Sequence, residues 1–247
     1  MVSERGKWDG VRAIAGFNWP YYLVAILVLV IGILAIGWFP VAGALVVSGC
    51  SYFLIGSLGV SHWIYDRSDL YQWLWLKRAL NPVEGGKWLL CHSGFDEVSG
   101  MLIQKFPGAE LRILDHYEPT TMTEASIQRA RKLFPPTAGT LAARFDQWPV
   151  EDASLNVVFG ILAIHELRNE GERAAWFSEA RRCLAEEGKV ILVEHLRDLA
   201  NFAAFGPGFL HFHSVAGWQR SWENGGLQLK DHFRITPFVK VFVLKKL

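Results

Sequence analysis

The sequence predicts an α/β fold: a doubly wound sheet, mostly parallel with an antiparallel last strand, preceded by a two-helix transmembrane hairpin. Three observations predict it. No Asp, Glu, Lys or Arg occurs between Arg12 and Asp66. From Lys87 onward, short apolar runs alternate with amphipathic segments, the pattern of strand–helix units packed on a parallel sheet. The chain then closes on two strand-like segments, Leu227 to Thr236 and Val239 to Leu247, joined at Pro237. So short a link permits only an antiparallel pairing.

The composition narrows the function classes. At 247 residues the chain accommodates one full domain and an appendage. Its 25 Lys+Arg nearly balance 24 Asp+Glu, which excludes an electrostatic footprint for nucleic acid. Mean hydropathy is positive, +0.18, and the excess is concentrated before residue 66. Cys50, Cys91 and Cys183 are far apart with no CxxC pair, which fits a reducing compartment and neither a disulfide framework nor a zinc motif. Val47-Ser-Gly-Cys50 has the form of a bacterial lipoprotein cleavage box. It follows a complete hydrophobic segment, however, which cleavage would remove.

Four regions follow: a cytoplasmic N-terminal segment (1–18), a transmembrane hairpin (19–62), an interfacial linker helix (63–84) and an α/β domain (85–247). Tyr21 to Phe39 and Val41 to Val60 are each long enough, as helices, for the roughly 30 Å hydrocarbon core. Helices are the form in which a span satisfies its own backbone. Trp19, Tyr21 and Tyr22 start the first span, Trp38 and Phe39 end it, and Trp63 and Tyr65 close the second, as interfacial aromatic belts do. Arg5, Lys7 and Arg12 precede the hairpin, and Arg67, Lys77 and Arg78 follow it. The positive-inside rule therefore places both termini and the α/β domain in the cytoplasm, beneath what would be a bacterial inner membrane. Ala42, Gly49 and Gly56, with Ala25 and Gly32, form small-residue stripes suited to packing within the hairpin, or to a homo-oligomer. Ser68 to Leu80 reads as a helix at the membrane surface, or as the first packing helix of the domain.

Within the domain the expected strands are 87–91, 110–114, a short one near 140–143, 157–164 and 189–193. The expected helices are 97–105, 123–134, 171–185 and 218–224, and an aromatic loop precedes the last. Helix 123–134 has Arg and Lys in its final turns and Pro135-Pro136 beyond, a stop signal. The strongest strand, Val157 to Ile164, follows Trp148-Pro149 and Glu151-Asp-Ala-Ser154 and ends at His165-Glu166. Reactive side chains just past an apolar strand are how an open parallel sheet presents chemistry.

This Pro, Asp, Ser and strand arrangement resembles the middle of class I (Rossmann-like) methyltransferases that use S-adenosyl-L-methionine. The resemblance covers roughly Lys87 to Leu247. It implies that Leu89-Leu-Cys-His-Ser-Gly-Phe-Asp96 is the cofactor loop, with His92, Ser93 and Gly94 beside the methionine moiety. Gly94 stands where the family has a glycine, whereas His92 and Asp96 replace flanking glycines and Leu90 replaces an acidic residue. The resemblance further implies that Asp115 accepts the ribose hydroxyls and that His116 flanks the adenine. The slot for the family's acid near the adenine amino group, five residues before Pro149, holds Arg144, so Asp146, two residues later, and the backbone of Phe145 are the candidates there. Asp152 and Ser154 shape their loop. The stretch from Glu194 to His213 is similar to an uncharacterised bacterial subgroup.

Methyl transfer from a sulfonium requires alignment and, for a protonated acceptor, a base. His165 is the first candidate, His195 the second, and Glu194 lies beside them. Glu166, His211 and His213 are further strand-end and loop candidates. No compact ligand spacing suggests a metal. An aromatic cover, Phe202 to Trp222, next to a membrane anchor implies a lipophilic small molecule or lipid as acceptor. The alternative is an inactive methyltransferase fold serving as a membrane scaffold or regulatory module.

Overall fold

The computed structural model describes residues 6–80 and 85–247; Arg5 and the last four linker positions fall outside them. Helix α1 (Asp9–Ala35) and helix α2 (Pro40–His62) form the antiparallel hairpin. Pro40 begins α2, where a missing N–H costs nothing. Both helices are long and apolar enough to cross a membrane, and only 11% of each apolar window is buried. Leu34, Val41, Leu45 and Ile55 point outward, so these are not core helices.

The hairpin closes at its base through Asp66. Its carboxylate accepts the Gly10 and Val11 amides at 2.7 and 3.0 Å, which satisfies free donors in the first turn of α1. His62 Nδ1 lies 2.9 Å from the same carboxylate, and Trp8 stacks on the His62 ring. The close approach of the two helices is at Gly32 and Gly43. A Cβ on Gly43 would stand 2.9 Å from the Gly32 carbonyl oxygen and 2.8 Å from Ile36 Cγ1. Gly49 and Gly56 face open space, so that part of the small-residue stripe is not the hairpin seam.

The linker is not one helix. A π-helical turn (63–67), a 3-10 turn (69–71) and helix α3 (Leu76–Ala79) follow one another, broken at Trp73, whose φ is +64°. Its apolar residues Leu70, Trp73, Trp75 and Leu76 are buried. They join a core layer with Trp88, Phe159 and Ile191 of the sheet, so the segment packs on the domain.

The domain runs β1 (Gly86–His92), α4 (Ser99–Lys105), β2 (Ala109–Asp115), α5 (Ala125–Leu133), β3 (Leu141–Ala142), β4 (Leu155–Ile161), α6 (Glu170–Cys183), β5 (Leu184–His195), α7 (Leu199–Phe205), α8 (Val215–Asn224), β6 (Leu227–Thr236) and β7 (Val239–Lys246). Sheet order is β3-β2-β1-β4-β5-β7-β6. The first five strands are parallel, and β7 pairs antiparallel with both β5 and β6. Each face carries a core: Trp176, Phe177, Trp218 and Trp222 on one, the linker and Trp88 on the other.

Three of the differences from the sequence reading bear on the site. Strand β4 stops at Ile161, and a 3-10 turn (164–166) carries His165. Asn169 starts α6 through a capping box with Glu172. The aromatic loop contains a helix, α7, whose first turn is capped by Asp198 accepting the Asn201 amide at 3.0 Å.

Candidate functional site

The strand order reverses between β1 and β4, so the crevice beyond their carboxyl ends is where such sheets take ligands. On the β1 side, Gly94 has φ +91°, and a Cβ there would lie 2.8 Å from the Tyr117 ring. The Gly94 amide donates to Asp115 Oδ1 at 2.9 Å, and the Tyr117 amide donates to the same oxygen at 3.0 Å. Asp115 Oδ2 is paired with Arg131, whose guanidinium also covers the Tyr117 ring at 4.5 Å. The ribose-binding candidate is thus engaged by its own chain. Phe17 of α1 packs edge-on against Phe95 and Phe134, so the base of the hairpin abuts this loop.

His92 and Ser93 are buried here, and both His92 ring nitrogens and Ser93 Oγ have no hydrogen-bond partner among the described residues. His92 Nδ1 stands 3.4 Å from Asp115 Oδ1. Burial pushes the His92 pKa down, against the pull of Asp115. Asp96 does not crowd the loop. Its Oδ1 accepts the Val98 and Ser99 amides at the start of α4, at 3.2 and 3.0 Å.

The adenine-side candidates are placed differently from expectation. His116 donates from Nδ1 to the Ala143 carbonyl at 2.8 Å and accepts the Trp176 indole N–H at Nε2, 3.1 Å. Burial lowers its pKa to about 4, so it is a neutral core imidazole stacked on Trp148, with no ring edge free for a ligand. The Phe145 carbonyl accepts the Trp148 indole N–H at 3.0 Å. Asp146 is held by both nitrogens of an Arg144 fork at 2.9 Å, on the rim of an open groove lined by Ala142, Trp148 and Glu179. Asp152 pairs with Arg182 and Ser154 Oγ donates to the Glu151 carbonyl, the structural roles expected of them.

On the β4–β5 side an alternating chain of carboxylates and imidazoles runs outward from the core. Glu194, 0% exposed at the end of β5, accepts the Ile164 and His165 amides at 3.0 and 3.2 Å through Oε1. Its Oε2 takes His165 Nδ1 at 2.7 Å. His165 Nε2 lies 3.5 Å from Glu166 Oε1, which lies 3.3 Å from His211 Nε2. His211 Nδ1 lies 3.2 Å from Glu124 Oε1. Burial opposes charge on His165, but Glu194 and Glu166 outweigh it and raise its pKa to about 10. The two carboxylates thus favour the protonated ring. Burial acts on Glu166 in the opposite sense from its two imidazoles, which prevail and hold it well below the usual carboxylate range.

His195 does not join this chain. Its Nδ1 donates to the Phe238 carbonyl at 3.0 Å and its Nε2 accepts the Tyr65 hydroxyl at 2.9 Å. Burial lowers its pKa to about 4. It is a tie between the hairpin base, β5 and the β6–β7 turn, which removes it as a base. Sequence reasoning also missed that His165, Glu166 and His211 converge. The adjacency of His165 and Glu166 was visible, but His211 is brought to them only by the fold of segment 199–213.

No protein-family model matches this sequence, and no curated protein does. Solved structures do match. A SAM-dependent methyltransferase from Aquifex aeolicus is 14% identical over 72% of this chain and 89% of its own, with a TM-score of 0.51. One from Leishmania major is 13% identical over 78% of each chain, TM-score 0.51. The mitomycin 7-O-methyltransferase MmcR is 11% identical over 99% of this chain and 74% of its own, TM-score 0.57. The fold is that of class I methyltransferases. This Rossmann-like sheet, with its antiparallel β7, carries the crevice and the imidazole–carboxylate chain on the same edge.

Proposed function

We propose that this chain is a membrane-anchored methyltransferase that uses S-adenosyl-L-methionine to methylate a lipophilic small molecule or lipid. One observation carries the reading. At the switch point of a methyltransferase-type sheet, a left-handed glycine after β1 donates to an acid at the end of β2. The orphaned ring nitrogens of His92 and the Ser93 hydroxyl fit a polar ligand, because buried polar atoms are normally paired. Ser93, the Gly94 backbone and Asp115 would hold the cofactor once Arg131, about a third exposed, turns outward. The cofactor supplies an electrophilic methyl group on a sulfonium.

The chain's own residues would then position the acceptor and exclude water. The His165 imidazolium, fixed by Glu194, can donate from Nε2 to an anionic acceptor oxygen and stabilise its charge. Phe212, edge-on to His165, and Phe205, edge-on to Phe212, form an apolar wall beside it. Leu199, Phe202 and Leu210 are exposed on the covering segment, and the Tyr52 hydroxyl of α2 donates to the Ala203 carbonyl at 2.6 Å. An apolar cover tied to an apolar hairpin favours an acceptor that arrives from the bilayer.

Calorimetric titration of S-adenosylhomocysteine into the detergent-purified protein tests the cofactor. Micromolar binding, lost in Asp115→Ala and tightened in Arg131→Ala, is expected. Transfer of labelled methyl from S-adenosylmethionine to a membrane lipid extract then tests the activity. A specific observation favours the inactive-scaffold reading: Arg131 already fills the ribose acceptor. Failure of both the wild type and Arg131→Ala to bind, with the fold intact, would establish that reading instead.

A further inference from the structure

We propose that His165, Glu166 and His211 form a site for one divalent transition-metal ion of the zinc class, with a fourth position open toward the acceptor. Its catalytic use rests on the methyltransferase reading; its existence does not.

The geometry is that of a three-ligand site. Glu166 Oε1 stands 3.5 Å from His165 Nε2 and 3.3 Å from His211 Nε2, and the three ligand atoms lie within 4.8 Å of one another. These separations are long for an N–H···O hydrogen bond. The two carboxylate–imidazole separations match the edge of a tetrahedron built on bonds of about 2.0–2.1 Å, which is about 3.3 Å. Two imidazoles and one carboxylate with an open fourth position is a catalytic zinc donor set, softer than the all-oxygen shell that magnesium or calcium takes.

The surrounding groups orient the ligands. A metal-bound imidazole characteristically gives its other N–H to a carboxylate, which fixes the tautomer and aims the ring. Both imidazoles do so here, independently: His165 Nδ1 faces Glu194 Oε2 at 2.7 Å, and His211 Nδ1 faces Glu124 Oε1 at 3.2 Å. Arg168 Nη1 reaches the carbonyls of both His165 and His211, which clamps together the two segments that bear the imidazoles. With the histidines neutral, three carboxylates surround one small space, a charge a dication would offset. The site is reachable: the His211 and Glu166 side chains are 24% and 14% exposed.

An ion held there would pin segment 206–211 onto the end of β4. Its open position could bind an acceptor hydroxyl or thiol and lower that group's pKa, leaving His165 as a ligand rather than the group that meets the acceptor.

The test is titration of Zn2+ alone into chelator-stripped, detergent-purified full-length protein, read by calorimetry and by the thermal midpoint. One ion per chain is expected, with a raised midpoint. His211→Ala and Glu166→Gln should abolish both effects. Glu124→Gln, which touches only the far nitrogen of His211, should weaken binding about 10- to 100-fold. Co2+ in place of Zn2+ should show the visible absorption of a tetrahedral site in the wild type and not in His211→Ala. Absence of Zn2+ binding by the folded wild type, or binding unchanged in both ligand variants, overturns the proposal. S-adenosylhomocysteine titration of the same samples separates the two readings, since either ligand can bind without the other.

Discussion

His116 and His195 are imidazoles whose two nitrogens are both used inside the fold, and they contribute, in the same sense as His92 and His213, to the acid limb of this protein's stability. In the unfolded chain each takes up a proton near pH 6.5; folded, each resists until about pH 4. The unfolded state therefore binds more protons between those values. Their contribution, about 3 kcal/mol each at most, is complete above pH 6.5 and is lost as pH falls toward 4. His165 works in the opposite sense. Its pairing with Glu194 and Glu166 stabilises fully below pH 6.5 and is lost as pH rises toward 10. Chemical denaturation across pH should show a maximum between these limbs, and His195→Phe should flatten the acid limb. An unchanged acid slope in that variant would show that His195 titrates normally. The sequence placed both histidines at strand ends, which is correct. It could not show that Trp176, from α6, and Tyr65, from the hairpin base, arrive to occupy their nitrogens. Gly94 was legible because only a residue without Cβ tolerates its φ and the approach of Tyr117. Arg131 over Asp115 was not, because its role in α5 looked like an ordinary C-terminal cation.

At the scale of elements, hydropathy alone marked the two hairpin helices, since an uncharged run of that length has few other readings. Their seam is a matter of helical phase, which a seven-residue spacing of small residues does not fix. The contact is at Gly32 and Gly43, where a Cβ would meet backbone or a neighbouring branched side chain below 3 Å. Gly43→Ala should therefore separate the helices and destabilise the hairpin by about 1–3 kcal/mol, whereas Gly49→Ala, with nothing within 4 Å, should be neutral or slightly stabilising. Thermal unfolding in detergent distinguishes them; equal effects would mean a different seam. The linker shows the converse limit. Its helical apolar spacing is real, but the left-handed turn at Trp73 breaks it and turns Trp73, Trp75 and Leu76 against the sheet. Tertiary burial overrode local periodicity there, whereas α7, with Leu199 and Phe202 exposed, was hidden among phenylalanines that read as a loop.

For the whole molecule, the decisive relation is between the hairpin and the carboxyl edge of the sheet. Asp66 joins the start of α1 to the end of α2, so both helix ends lie at one level. Tyr65 and Trp63 at that level reach His195 and Phe238, and Phe17 reaches Phe95 and Phe134. The domain is thus docked under the hairpin by the same edge that carries the crevice and the His165 cluster. The turn at Trp38 and Phe39 lies at the opposite end, exposed and uncharged. If the hairpin spans a bilayer, the site sits just beneath the interface, with Leu199, Phe202 and Leu210 positioned to enter it. The chain should then stay in the membrane fraction through alkaline carbonate extraction. A reporter fused after Leu247 should be active only in its cytoplasmic form, and a cysteine introduced at Gly37 should react with an impermeant thiol reagent from the other side. Labelling of Gly37→Cys only after the membrane is opened would reverse the orientation, and release by carbonate would remove the anchor. It would also remove the physical reason for a lipophilic acceptor, and leave the exposed faces of α1 and α2 to be covered by protein instead.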